Sequence, residues 1–595
     1  MTTGTLSIHS ENILPIIKKW LYSDKDIFVR ELVSNSSDAI RKLKVLGVSD
    51  TFRITIAIDK EEKTLTFSDN GIGMTKEEIE KYITQIAFSG AEEFIEKYQL
   101  KEEIIGHFGL GFYSSYMVSK KVAIDTLSYQ KGAEPAFWSC DGSSTYTMEK
   151  GTRSQRGTTI TLYIDEESSE YLQEGKIGEI LRKYCLFFPY PIFFHGKEIN
   201  NKEPLWLKNP SEVSDKEYID FYHQLYPLDP APIFWVHLNI DYPFHMKGIL
   251  YFPKIHSRFD YQQSTIKLFC NRVFVSDNCK DLLPDYLMVL RGAIDSPDIP
   301  LNVSRSYLQM DTTVRQLGSH VSKKISDRLS SLYKTEKERF IEHWQDVEMI
   351  IKLGILQDEK FYERVKEFLI WKTNGGNWVS LEEYIASHPD KKIYYTGEEK
   401  DEPHLLAVYK EKKIEVLYTH PFIDTPLINF LERKKEGISF HRIDSHVDEL
   451  LDPAREKTLL DSEGKTEAGR IADFVRTSLN IKDLEIEAKS LASDSLPAFL
   501  VIDEGMRRLR DYMQMTKEAS PTFPDKKKFV INTNNSFVLA TFRLQKDHPD
   551  IAKAIMRQIY DLTLFSQKEL DIKEVPKMIA RNMEVMEKLI QLKKG

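Results

Sequence analysis

Apolar and polar positions separate most cleanly between residues 27 and 46. Val29, Leu32, Val33, Ile40 and Leu43 share one stripe of a helix predicted over about Ile27–Leu46. Glu31, Asn35 and Asp38, at i, i+4 and i+7, share another. Alternation then predicts a strand over Arg53–Ile58, a turn at Asp59–Glu62 and a second strand over Thr64–Ser68. Leu65 and Phe67 face inward on that strand, and period two puts Asp69 beside them. Further on, the pattern predicts a helix over Lys76–Phe88 and strands near Val122–Leu127, Ala136–Ser139, Thr145–Glu149 and Arg156–Leu162. Strands are read again at Lys247–Phe252, Ile266–Cys270 and Val273–Val275, with helices from Tyr286 onward and a long helical stretch over Val314–Trp344. Alternating αβ elements follow over Lys392–Tyr395, Ala407–Tyr418 and Leu427–Leu431.

The chain closes on two amphipathic helices. Ile551, Ile555, Ile559 and Leu562 line one face of the first; Pro576 opens the second, whose stripe is Ile579, Met583, Met586 and Ile590. Each face needs a cover, either its own domain or a second copy of the chain.

With 595 residues the chain has room for three or four domains. A net charge of −9 spread along the sequence argues against nucleic acid or a membrane surface as partner. No apolar run approaches the roughly 20 residues of a membrane span. The four cysteines, Cys140, Cys185, Cys270 and Cys279, have no metal-ligand spacing, which fits packing residues in a reducing compartment. The first ten residues lack a basic and apolar leader, so a cytoplasmic protein is expected.

The polar stripe has two readings, an ordinary solvated face or one wall of a site. Asn and Asp are poor helix formers, which favours the second. Asp69 favours it too, because an inward carboxylate is costly unless it accepts hydrogen bonds. It opens the turn Asp69-Asn70-Gly71-Ile72-Gly73-Met74, whose glycines allow tight turns and close approach of a ligand. A carboxylate in an apolar pocket suits an exocyclic amine such as that of adenine, and a nearby Asn suits the shell of Mg²⁺.

The run Phe28–Ala39, this turn and a third motif, Gly106-His107-Phe108-Gly109-Leu110-Gly111-Phe112-Tyr113-Ser114, together resemble the nucleotide site of the GHKL superfamily. More narrowly, the whole chain resembles the ninety-kilodalton heat-shock chaperones of the bacterial HtpG type, least so in its last hundred residues. His107 and Leu110 stand where that family usually has Gln and Val; Tyr82 replaces an Asn and Phe88 a Lys that helps hold the nucleotide.

The resemblance implies an α+β multidomain protein. Its parts would be a GHKL α/β sandwich ATPase domain (1–210), an α/β middle domain carrying a catalytic arginine loop (211–488) and a small, mostly helical C-terminal dimerisation domain (489–595). It implies Glu31 and Arg305 as catalytic residues, and Asn35 as the Mg²⁺ ligand. Asp38, Asp69, Gly71, Gly73, Met74, Phe88, Gly109, Gly111, Phe112 and Thr158, with Asn35, would bind ATP. Arg305 lies in the loop Asp298–Gln309 and, read alone, is an ordinary surface residue; Thr158, read alone, is an edge-strand threonine. Met506, Met513 and Met515 fit either a client surface or a core.

The function implied is ATP-driven dimer closure that assists client proteins. The alternative is a non-hydrolysing holdase of the same architecture, which Tyr82 and Phe88 keep open. A histidine kinase lacks its phosphoacceptor helix here, and a gyrase- or MutL-like enzyme does not fit the Leu301–Gln309 run. No tetratricopeptide co-chaperone is expected, because the chain ends Gln591-Leu592-Lys593-Lys594-Gly595 without an acidic tail.

Overall fold

The computed structural model describes residues 24–85, 88, 94, 109–254, 265–277, 282–299, 312–397, 403–446, 448–455, 464–516 and 527–592. The chain divides into two compact units, 1–328 and 329–595. The fold is mixed α/β, with five separate sheets among the described residues.

The first unit is built on an eight-stranded sheet. Its strands are β1 (Ile54–Asp59), β2 (Thr64–Asp69), β3 (Ser119–Leu127), β4 (Ala136–Cys140), β5 (Thr147–Lys150), β6 (Gly157–Ile164), β7 (Ile192–Phe194) and β8 (Lys197–Glu198), in the order β5-β4-β3-β6-β2-β1-β7-β8. Helix α1 (Ile27–Val45) packs on it through Phe28, whose ring meets Phe67 and Tyr171 edge-on at 6.3 and 5.1 Å. Its polar stripe is not a solvated face: Glu31 and Asp38 are both buried. Period two holds on β2, where Leu65, Phe67 and Asp69 are all buried. Strand β6 is interior, between β2 and β3, so Thr158 is not on an edge.

Helix α2 (Lys76–Tyr82) opens on a reciprocal capping box between Thr75 and Glu78. It ends at Tyr82, six residues short of the predicted Phe88. The Ile83 carbonyl, which a longer helix would bond internally, instead accepts the Tyr113 hydroxyl at 2.5 Å. Helix α3 (Glu174–Cys185) adds a second apolar face.

After α4 (Asp215–Leu225), five strands form a second sheet: β9 (Phe234–Ile240), β10 (Met246–Phe252), β11 (Thr265–Cys270), β12 (Val273–Ser276) and β13 (Arg291–Asp295), in the order β12-β11-β13-β10-β9. The helices expected from Tyr286 give way to a 3₁₀ turn at Asp285–Leu287 and then β13. An unbroken apolar run such as Tyr286–Leu290 carries no period to separate helix from strand. Phe187 and Phe269 sandwich this junction with Trp206, at ring distances of 4.9 and 5.1 Å from it. The Trp206 indole N–H donates to buried Asp295 at 3.3 Å.

The second unit holds three small sheets. One pairs β14 (Ile370–Lys372) with β15 (Trp378–Ser380). The next orders β16 (Lys392–Thr396), β17 (Val416–Tyr418) and β18 (Ser439–Arg442) as β17-β16-β18. The last orders β19 (Glu485–Lys489), β20 (Ala498–Ile502) and β21 (Lys527–Asn532) as β19-β21-β20. The stretch expected over Val314–Trp344 is broken into helices Thr312–Thr335, Lys337–Glu342 and α5 (Trp344–Gln357). Helix α6 (Pro421–Lys434) follows β17. The terminal helices are α7 (Pro549–Ser566) and α8 (Val575–Leu592). Ile555 and Ile559 of α7 are buried within the unit, whereas Ile579, Met583, Met586 and Ile590 of α8 are all more than half exposed.

Candidate functional site

The site is where α1, the end of β2 and the turn after it meet. Ile72 N–H donates to the carbonyl of Ala39 on α1 at 3.0 Å, which seats the glycine turn on the helix. A Cβ on Gly71 would lie 2.8 Å from that of Ala39, so the turn approaches α1 as closely as a backbone can. Gly73 has φ +64°, and a Cβ there would meet the carbonyl oxygen of Leu127 at 1.9 Å. No other residue fits that position.

Asp69 stands at the floor of this corner. Gly71 N–H donates to its Oδ1 at 2.8 Å, and Ser36 and the Thr158 backbone also contribute hydrogen bonds. Burial pushes the Asp69 carboxyl up to about 6, against these hydrogen bonds and the more distant charge of Arg153. At neutral pH it is mostly an acceptor.

Across the sheet, Asp69 on β2 is paired with Thr158 on β6, which is paired with Thr126 on β3. The Thr126 and Thr158 hydroxyls are 3.0 Å apart, and Thr126 Oγ1 also accepts from Met74 N–H at 3.0 Å. Thr126 therefore ties the glycine turn to the strand that carries Thr158. Sequence reasoning passed it over, although Val122, Ile124 and Thr126 alternate onto one face and would have marked a buried hydroxyl.

Along α1, Glu31 is clamped by its neighbour: Arg30 donates from Nε at 3.1 Å and from a terminal nitrogen at 2.8 Å to Glu31 Oε1. Oε2 points at Gly111, where a Cβ would come within 2.5 Å. Arg30, nearly fully buried, is a positioning partner that the stripe analysis missed. One turn on, Asn35 is half-buried and its side chain makes no hydrogen bond among the described residues. Asp38 is buried with the charges of Arg41 and Lys42 nearby. Burial lowers the Lys42 ammonium pKa, against pulls from Asp38 and Glu78.

The third motif is described from Gly109 onward; Gly106, His107 and Phe108 lie outside the described residues. Gly109 has φ +62°, and a Cβ there would strike the Phe88 carbonyl oxygen at 2.5 Å. Phe112 is buried, edge-on to Tyr113 and Trp138 at 5.5 and 5.9 Å, so it braces the turn from the core side. Phe88 is half-buried and stacks on Tyr82, with ring centroids 6.0 Å apart and planes 7° from parallel. The Lys81 ammonium lies 5.1 and 5.7 Å from these two rings. The two departures from the expected pattern are thus one feature, a stacked pair with a cation beside it. Arg305 lies outside the described residues.

The structure brings Glu31, Asn35, Asp38, Asp69, Gly71, Gly73, Met74, Gly111 and Thr158 to one face of α1 and the end of β2, with Phe88 and Gly109 beside them. This corner offers a deep acceptor, a carboxylate oxygen at a glycine turn and a half-buried amide without a partner. Among the described residues no helix is long and apolar enough to cross a membrane, and no cluster of His, Cys, Asp and Glu is arranged to hold a metal by itself.

Residues 23–174 match a family model described as histidine kinase-, DNA gyrase B- and HSP90-like ATPase, and residues 194–594 match one described as Hsp90 protein. A chaperone protein HtpG of Bacteroides fragilis (strain YCH46) is 41% identical over 573 residues, covering 90% of this chain and 84% of that protein. One of Porphyromonas gingivalis (strain W83) is 39% identical over 606 residues, covering 96% and 88%. One of Desulfitobacterium hafniense (strain Y51) is 29% identical over 611 residues, covering 97% and 98%.

Proposed function

The chain belongs to the Hsp90 family, as an ATP-dependent molecular chaperone, and we propose that it hydrolyses ATP in the corner between α1 and the Asp69–Met74 turn. The observation that carries this reading is Asp69, a buried carboxylate held by hydrogen bonds, with no cation bonded to it among the described residues, at a turn that glycines shape. Such an acceptor pairs with the exocyclic amine of adenine, and Thr158 stands beside it. Gly71, Gly73 and Met74 shape the wall against the base, and Asp38 belongs to the same pocket.

Asn35 has the free amide that Mg²⁺ bound with the phosphates requires; the ion would supply charge neutralisation there. Glu31, fixed by Arg30 and one helical turn from Asn35, is placed to orient and deprotonate the attacking water. Gly109, Gly111 and Phe112 form the hinge of a segment that closes over the nucleotide, and Phe88 lies on that segment. Arg305 is proposed, on the resemblance, to stabilise charge on the transferring phosphoryl group.

The same reading assigns residues 1–210 to nucleotide binding, 211–488 to a middle domain with the arginine loop, and a segment beginning near Lys489 to dimerisation. The exposed stripe of α8 supports a homodimer through the terminal helices. Clients are proteins; nucleic acid, membranes and tetratricopeptide co-chaperones are not proposed as partners, and the cytoplasm is the proposed location. Nothing in the comparisons favours a non-hydrolysing holdase.

Steady-state ATP hydrolysis by the full chain, beside Glu31→Ala and Arg305→Ala, tests the proposal. The expected result is slow turnover in the parent and none in either variant, with ATP still bound by both. Parent turnover equal to that of the variants would sink it.

A further inference from the structure

A second charged constellation lies in the second unit. On α5, Trp344, Glu348 and Lys352 follow at i, i+4 and i+8 and share one face. Lys352 is fully buried, bonded to Glu348 on its own helix and to Asp424 of α6 at 2.6 and 2.8 Å. Asp424 is completed by the Trp371 indole N–H at 3.1 Å and the His420 backbone N–H at 2.7 Å. Burial works against the Lys352 charge, but Asp424 and Glu348 outweigh it and hold its pKa above the ordinary value. Two carboxylates here face one buried cation.

Above this cluster opens a cleft of about 240 Å³. Its walls are Trp344, Trp371, Trp378 and Tyr418, and Glu348 reaches its floor. The Trp344 and Trp378 rings are 6.3 Å apart and inclined at 67°, and the Lys352 ammonium lies 5.5 Å from the Trp371 ring. The Trp371 ring thus already has one cation against it. Glu348 Oε2, the oxygen that Lys352 does not take, is 3.8 Å from His420 Nε2 at the mouth.

We propose that this cleft binds the guanidinium of an arginine side chain presented by an extended polypeptide. Aromatic faces attract a cation through their ring quadrupoles, and a planar guanidinium both stacks on indole and forks onto a carboxylate. The surplus negative charge sits at the buried floor, where solvent screens it least. Lys372 also lines the cleft, but at its exposed rim, where its charge is well screened. The volume falls below the roughly 300 Å³ at which pockets for whole small molecules begin. It suits the end of a side chain whose backbone stays outside.

The test uses the full-length chain without nucleotide, so its outcome is separate from that of the ATPase proposal. Two fluorescein-labelled Gly/Ser peptides are titrated by anisotropy, one with a single central arginine and one with citrulline, its neutral isostere. The arginine peptide is expected to bind about tenfold tighter or better. Glu348→Gln and the half-buried Trp378→Ala should each abolish that preference, and Trp378→Ala leaves the ion cluster intact should Glu348→Gln unfold. Lys372→Ala should keep or strengthen it. Equal binding of the two peptides, no binding of either, or a preference that survives Trp378→Ala overturns the proposal.

Discussion

Two buried aspartates, one in each unit, are treated in opposite ways. Asp424 is bonded to the fully buried Lys352 and to two N–H donors, so its charge is answered inside the fold. Asp69 has no cation bonded to its carboxylate and relies on Gly71, Ser36 and the Thr158 backbone, with burial pushing it up to about 6. A carboxylate with a built-in counter-ion is scaffold. One left to hydrogen bonds, at a cost to the empty protein, fits the proposal that a ligand answers it; Asp295, pushed up in the same way, instead accepts from the Trp206 indole and the Arg272 backbone.

The largest effect is expected on the scaffold side. Lys352→Ala strands two buried carboxylates and should cost about 3–5 kcal/mol of unfolding free energy, read from urea denaturation. Adding Asp424→Leu to a Lys352→Met variant should recover part of the loss, because it removes one of the two stranded carboxylates and leaves Glu348.

At Asp69 the sign reverses. Asp69→Asn should weaken ATP binding by roughly a hundredfold or more by titration calorimetry, since the amide cannot accept as a carboxylate does. The nucleotide-free protein should melt at the same temperature or higher. A strongly destabilised Asp69→Asn would erase the distinction between the two aspartates.

Acid sharpens the same contrast. With a folded value near 6 against an ordinary 3.8, native Asp69 binds a proton that the unfolded chain does not between about pH 4 and 6. Its contribution to stability therefore declines as pH rises through that window and is flat above it. Nucleotide affinity should run the other way, falling about fourfold from pH 7.5 to 5.5 as the acceptor is protonated. Asp295 is also pushed up to about 6, by burial, so binding rather than melting is the clean readout. The pH dependence should vanish in Asp69→Asn.

The smallest effect concerns the stacked pair. Phe88→Lys should tighten ATP binding by a few-fold, with about 0.5–1.5 kcal/mol of ring packing lost in exchange. Binding is measured by calorimetry and packing by the melting temperature.

Much of this corner was legible in the sequence because its signals are local. Helical spacing put Glu31, Asn35 and Asp38 on one stripe, and period two turned Asp69 inward. What periodicity could not say was whether the stripe met water; only the packing of Gly71 and Gly111 against α1 decides that. Thr126 and Arg30 were missed because each acts through a neighbour. Strand β13 was missed because its surroundings, buried on both sides, carry no alternation. The Trp344–Trp378 cleft was hidden for another reason, since its walls come from α5, β14, β15 and β17. No window of sequence holds them together. Arg305, legible only by resemblance, lies outside the described residues.

The bare stripe of α8 has a consequence for how such a protein lives in a crowded solution. Ile579, Met583, Met586 and Ile590 display the kind of greasy, adaptable surface that a chaperone exists to cover on others. A chain with this stripe uncovered therefore carries the same hazard of sticking to its neighbours. On the proposed dimer, a second copy would cover it, and mass action would set how much of the stripe stays bare at a given concentration of chain.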